Sequence, residues 1–131
     1  MRKAVRTSDA PRPRGVYSQA IVADGFVFVS GQVPVNPRTN QLEPGDIRSE
    51  ARRALENMRA ILLAAGCSLS DVVRVCVFLA DLNDFDAMNE VYQKFFPANP
   101  PARTTVGAQL PNIKVEIDCI ARLPSSRRSR G

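Results

Sequence analysis

Residues 71–106 read DVVRVCVFLADLNDFDAMNEVYQKFFPANPPARTTV, and the pattern changes twice within them. The run DVVRVCVFLADL (71–82) is rich in β-branched residues and predicts a strand, buried on both faces over part of its length. Asn83 or Asp84 then caps a helix whose apolar residues Phe85, Met88, Tyr92, Phe95 and Phe96 form one stripe. Pro97 ends it, because helices seldom continue through a proline. ARTTVG resumes as a short strand, so the stretch is a strand–helix–strand unit.

Upstream, YSQAIVADGFVFVSGQV holds two strand-like runs around Asp24-Gly25, a tight-turn signal that predicts a hairpin. Residues 34–46 are dense in Pro, Asn and Gly and form a loop. Asp46 is placed to cap a helix through Ala65, with Gly66 as its left-handed stop. Ala51, Leu55, Met58, Ile61, Leu62 and Ala65 give that helix one buried stripe. Downstream, KVEIDCIARL (114–123) alternates as a final strand. The order β-β-α-β-α-β-β predicts an α+β domain, a mixed sheet with two helices on one face. Val27, Val29 and the strand at 72–79 offer apolar side chains to both sheet faces. The uncovered face is then expected to meet copies of the chain, making a homo-oligomer.

The 131 residues fit one domain. Residues 1–14 carry five basic side chains against Asp9 and read as a basic N-terminal arm. Residues 125–131, SSRRSRG, read as a basic disordered tail. Of 18 basic residues these ends hold eight, so the body from 15 to 124 has ten basic and twelve acidic residues, a net −2. The formal charge of +5 therefore belongs to the ends, and a nucleic-acid partner is not expected. No apolar run approaches ~18 residues, so no membrane span is expected. The basic start lacks the apolar segment of a secretory signal. Cys67, Cys76 and Cys119 form no CxxC pair and suit a reducing cytoplasm. The absence of histidine excludes His-based triads and His metal sites. No glycine-rich nucleotide loop is present.

What remains for chemistry is Arg, Glu, Asp, Tyr, hydroxyls, backbone and water. Arg103 follows Pro100 and Pro101 at the edge of an apolar run. It reads in one of two ways. It forms an ion pair with Glu116 or Asp118 that pins the strand end, or it is a carboxylate clamp whose rigid fork matches two oxygens. Glu116 is either a solvated residue on the polar side of its strand or a general base holding a water. Tyr17 packs or contacts a ligand, and Ser30-Gly31 ends a strand where backbone can approach a ligand closely.

GVYSQA, FVFVSGQVPVNP, AGCSLSDVVRVCVFLADLNDFDAMNEVY, FFPANPPARTTV and VEIDCIA occur together in an order and spacing similar to the RidA family (YjgF/YER057c/UK114). PPARTTV followed by VEI is the most specific part. The resemblance covers roughly residues 15–123 and implies a chorismate-mutase-like subunit that assembles as a homotrimer, with ligand clefts between subunits and no cofactor or metal. It implies hydrolysis of reactive enamines and imines, such as 2-iminobutanoate and 2-iminopropanoate, to 2-keto acids and ammonia. Some relatives are instead proposed to bind metabolites without turnover, to act as chaperones, or to cleave RNA and inhibit translation. Position by position, Arg103 matches the arginine that grips the substrate carboxylate, and Glu116 the glutamate that holds the attacking water. Tyr17, Ser30, Gly31 and Asn89 match cleft positions. Thr105 stands where many relatives have cysteine, with an implied backbone contact to substrate. The turn GAQLPNI between Arg103 and Glu116 is shorter than in many relatives.

Overall fold

The computed structural model describes residues 2–125. Most of the basic tail expected at 125–131 therefore lies outside the described residues. β2 (Ala20–Ala23) and β3 (Phe26–Gln32) form the hairpin signalled by Asp24-Gly25, both of which have positive φ (56° and 82°), as a two-residue turn with right-handed strand twist requires. The sequence reading assigned no element to the N-terminal residues, yet β1 (Arg2–Val5) pairs antiparallel with β2. β4 (Val35–Asn36) and β5 (Gln41–Leu42) make a separate small hairpin within the Pro/Asn-rich loop.

α1 (Ile47–Ala65) starts where Asp46 accepts the Ser49 N–H at 2.8 Å and stops at Gly66, φ 93°. β6 (Val72–Leu79) leads through a short turn to α2 (Phe85–Phe95), which crosses over to β7 (Ala102–Gly107), parallel to β6. β8 (Val115–Arg122) lies antiparallel to both β3 and β6. The six-stranded sheet has the order β1-β2-β3-β8-β6-β7 and is mixed only through the β6–β7 pair.

α1 packs on β3 and β8, and α2 packs on α1. Val27, Val29, Val75, Val77, Leu79, Val115, Ile117 and Cys119 point into this covered face, with Leu55, Met58, Ile61 and Leu62 opposite them. Val27 and Val29 thus share one face rather than serving two, since alternate strand residues point the same way. The other face carries Phe28 and Val106, exposed, with Ile21, Phe78 and Ile120 half-buried. In α2 the buried residues are Met88, Val91 and Tyr92, while Phe85 stays exposed. Among the described residues no helix is long and apolar enough to cross a membrane.

Candidate active site

Arg103 sits on β7 opposite Val75 in register, so its side chain leaves the sheet on the helix-covered side. α2 lies above it because α2 is the crossover between β6 and β7. The guanidinium carbon is 4.7 Å from the Tyr92 ring centroid and 5.4 Å from that of Phe85, two residues seven apart on α2. Such contacts hold a cation against ring faces without neutralising its charge. Burial pushes the Tyr92 hydroxyl up to about 12, against the opposing pull of Arg103. A cavity of about 530 Å³ opens at Arg103, lined also by Asn89, Tyr92, Gln93, Pro100 and Pro101.

The ion-pair reading of Arg103 fails. Among the described residues no carboxylate is paired with it, and Glu116 and Asp118 are on the other side of the sheet. The parity of β8 shows why: Val115, Ile117, Cys119 and Ala121 are buried beneath the helices, so Glu116 and Asp118 point to the open face. The fork of Arg103 is left with donors that no acidic side chain takes up.

On the open face, β3 carries a bulge: Val29 faces Cys119 and Gln32 faces Ile117, which leaves Ser30 and Gly31 opposite Asp118 alone. The bulge brings Gly31 against Glu116. A Cβ added at Gly31 would stand 2.8 Å from Glu116 Cδ, so glycine makes room for this carboxylate. Ser30 Oγ donates to the Ser18 carbonyl at 2.6 Å and Ser30 N–H to the Gln19 carbonyl at 3.0 Å, tying the Tyr17 segment to the bulge. Tyr17 itself is half exposed, and its hydroxyl accepts the Arg14 N–H at 3.1 Å. Burial, and then the neighbouring Asp118 charge, hold the Glu116 carboxyl above its ordinary value. Asp118 is raised too, by burial, with the Cys76 hydrogen bond and Arg74 pulling the other way.

The expected site residues therefore fall into two groups within one chain. Arg103 and Asn89 meet at the α2 cavity. Thr105, opposite the buried Val77 in register, shares Arg103's side of β7, and its Oγ1 is buried with no hydrogen-bond partner among the described residues. Glu116, Ser30 and Gly31 meet on the opposite face, with Tyr17 tethered beside them. Phe85 and Tyr92, which frame Arg103, belong in the sequence pattern to the apolar stripe of this helix. Their seven-residue spacing, two turns on one face, was the available signal. The role of Asp118 beside Glu116 was equally unread.

A mixed sheet with two helices on one face is the architecture of a YjgF-like α+β domain. A protein-family model described as Endoribonuclease L-PSP matches residues 7–123. A RutC family protein of Pyrococcus horikoshii is 48% identical over 123 residues, covering 92% of this chain and 98% of that protein. A 2-iminobutanoate/2-iminopropanoate deaminase of Rattus norvegicus is 45% identical over 123 residues, covering 92% of this chain and 90% of that protein. The crystal structure of E. coli TdcF with bound serine superposes with a TM-score of 0.88 at 42% identity, covering 93% of this chain and 99% of that one. The chain belongs to the YjgF/RidA family.

Proposed function

We propose that the protein hydrolyses 2-imino acids and their enamine tautomers, of the 2-iminobutanoate and 2-iminopropanoate type, to 2-keto acids and ammonia. The observation that carries this reading is the Arg103 guanidinium, unpaired among the described residues and framed by Tyr92 and Phe85 at a cavity of about 530 Å³. That is a receptor for a small carboxylate. Relatives that are 42–46% identical carry the deaminase name, and TdcF holds serine, a small amino acid.

Arg103 grips the substrate carboxylate and turns an encounter into an oriented complex. Glu116 holds a water against the C=N carbon and takes its proton. The new C–O bond pushes the C=N π pair onto nitrogen, which receives that proton. The hydroxyl proton of the carbinolamine then passes, by way of Glu116, to the amine nitrogen; the C–N bond breaks, the carbonyl forms and ammonia leaves. A carboxyl raised above its ordinary value suits a group that takes and returns a proton. Thr105 offers a backbone contact, while Tyr17, Ser30, Gly31 and Asn89 shape the cleft.

Arg103 and Glu116 lie on opposite faces of one chain's sheet, so they can act on one substrate only across two copies. A homotrimer, with each cleft made from Arg103 of one subunit and Glu116 of the next, meets that need and covers the apolar open face. The test is 2-keto acid and ammonia release from freshly generated 2-iminobutanoate, beside RNA cleavage under the same conditions. Acceleration of the first, lost in Arg103→Ala, is the expected result. RNA cleavage without imine hydrolysis would overturn the proposal.

A further inference from the structure

The N-terminal residues hold a second cavity, whose arginines have no part in the proposed imine chemistry. Its walls are fixed by the buried Gln19. The Thr7 N–H donates to Gln19 Oε1 at 2.8 Å, and Gln19 Nε2 donates to the carbonyls of Thr7, Pro11 and Ala10 at 3.0, 2.9 and 3.4 Å. Asn40, in the left-handed region at φ 58°, holds the next residues. Its Oδ1 accepts the Arg12 N–H at 3.0 Å and its carbonyl accepts from Arg14 Nη2 at 2.6 Å. Residues 7–14 are thus a built loop between β1 and the Tyr17 segment. The loop and that segment enclose a cavity of about 580 Å³, lined by Arg6, Thr7, Ser8, Arg12, Pro13 and Tyr17 among others.

No acidic side chain lines this cavity, and the loop's one acid, Asp9, lines a different depression beside Glu56 and Arg59. Among the described residues neither Arg6 nor Arg12 is ion-paired. Two permanent cations on one wall repel each other and lose that repulsion when an anion sits between them. Ser8 supplies a hydroxyl, and Thr7 Oγ1, which accepts the Asp9 N–H at 3.1 Å, keeps its own O–H to donate. The volume falls within the range of small-molecule sites. A loop already ordered by Gln19 and Asn40 loses little freedom on binding.

We propose that this cavity is a second binding site, for a small metabolite bearing a carboxylate or phosphate group, recognised by Arg6 and Arg12. Its arginines are not those of the proposed imine cleft, with which it shares Tyr17, and it stands or falls independently of imine hydrolysis. Tyr17 forms part of its wall, so occupancy changes the surroundings of that ring.

The chain has two tyrosines and no tryptophan, so Tyr92→Phe leaves Tyr17 as the sole tyrosine reporter. That protein is titrated with inorganic phosphate and with succinate, ionic strength being held constant with sodium chloride. A saturable change in tyrosine emission with at least one of them is expected. A response to phosphate alone assigns a phosphate-bearing ligand, and a response to succinate alone a carboxylate. Arg6→Gln and Arg12→Gln, both at exposed positions, should each weaken binding about tenfold. The titrations are made with Arg103→Ala also in place, so that a carboxylate at the proposed imine cleft, which Tyr17 borders too, does not contribute. Either no saturable response or equal affinity in the glutamine variants would overturn the proposal.

Discussion

On the proposed mechanism Arg103 acts through its shape as well as its charge. A forked guanidinium makes charge-assisted bonds of ~1.5–3 kcal/mol each to a carboxylate, so Arg103→Ala should reduce kcat/KM for 2-iminobutanoate by about a hundredfold or more. Arg103→Lys keeps the charge and loses the fork, and should fall between the two. Because no described carboxylate is paired with Arg103, neither variant strands a buried anion, and thermal melts should move little. Glu116 gives a second test. It works ionised, so activity should fall as pH drops through its pKa, which burial and Asp118 hold above the ordinary 4.5. Asp118→Asn removes the repelling charge, lowers the Glu116 pKa and should move the acid limb of the kcat/KM profile to lower pH. A limb that does not move would mean that Asp118 does not set it. Folding shifts Glu116 toward its protonated form relative to the unfolded chain. Its contribution to stability is therefore present below the unfolded pKa and lost as pH rises through the raised folded one.

At the level of elements, the β3 bulge and the start of α1 position Glu116, while the α2 crossover frames Arg103. Gly31 has no left-handed backbone, so Gly31→Ala should fold. Its methyl would stand 2.8 Å from Glu116 Cδ and must turn that side chain away, with activity falling ~10- to 100-fold while the melting temperature holds. Glu50 is different in kind. This carboxylate on α1 is fully buried and accepts the Gly45 N–H at 3.1 Å and the Lys114 N–H at 2.7 Å, with Lys114 Nζ 3.7 Å away. It fastens the entry of β8, two residues before Glu116, to the first turn of α1. Glu50→Ala leaves the part-buried Gly45 and Lys114 amides without their acceptor and a cavity where the carboxylate was, and should lower unfolding free energy by ~1–3 kcal/mol in urea titration, with the slope unchanged. Helix α1 was legible because Asp46 and Gly66 act locally on their own backbone. The burial of Glu50 was not, since its partner is 64 residues away. β1 escaped notice because RKAV has two charges among four residues, and its strand form comes from pairing along an edge. The alternation in β8 could be read directly. That Arg103 has the opposite parity could not, because it depends on the register between β7 and β6.

For the whole molecule, one fact of topology bears on the proposed function: Arg103 is under α2, and Glu116 is on the bare side of the same sheet. The bare side also carries Phe28, Phe78, Ile120 and Val106, apolar surface that a second copy would cover. Family resemblance made Arg103 and Glu116 legible as partners, but only the folded chain separates them. Mixing two inactive variants tests the central claim most directly. On the proposed homotrimer, Arg103→Ala and Glu116→Gln subunits, unfolded together and refolded, should sort at random. Every mixed trimer then holds one cleft with both groups intact, for about a quarter of wild-type activity in an equal mixture. Recovery near that level, far above either variant refolded alone, is the predicted result. A mixture no more active than its two components would contradict the account.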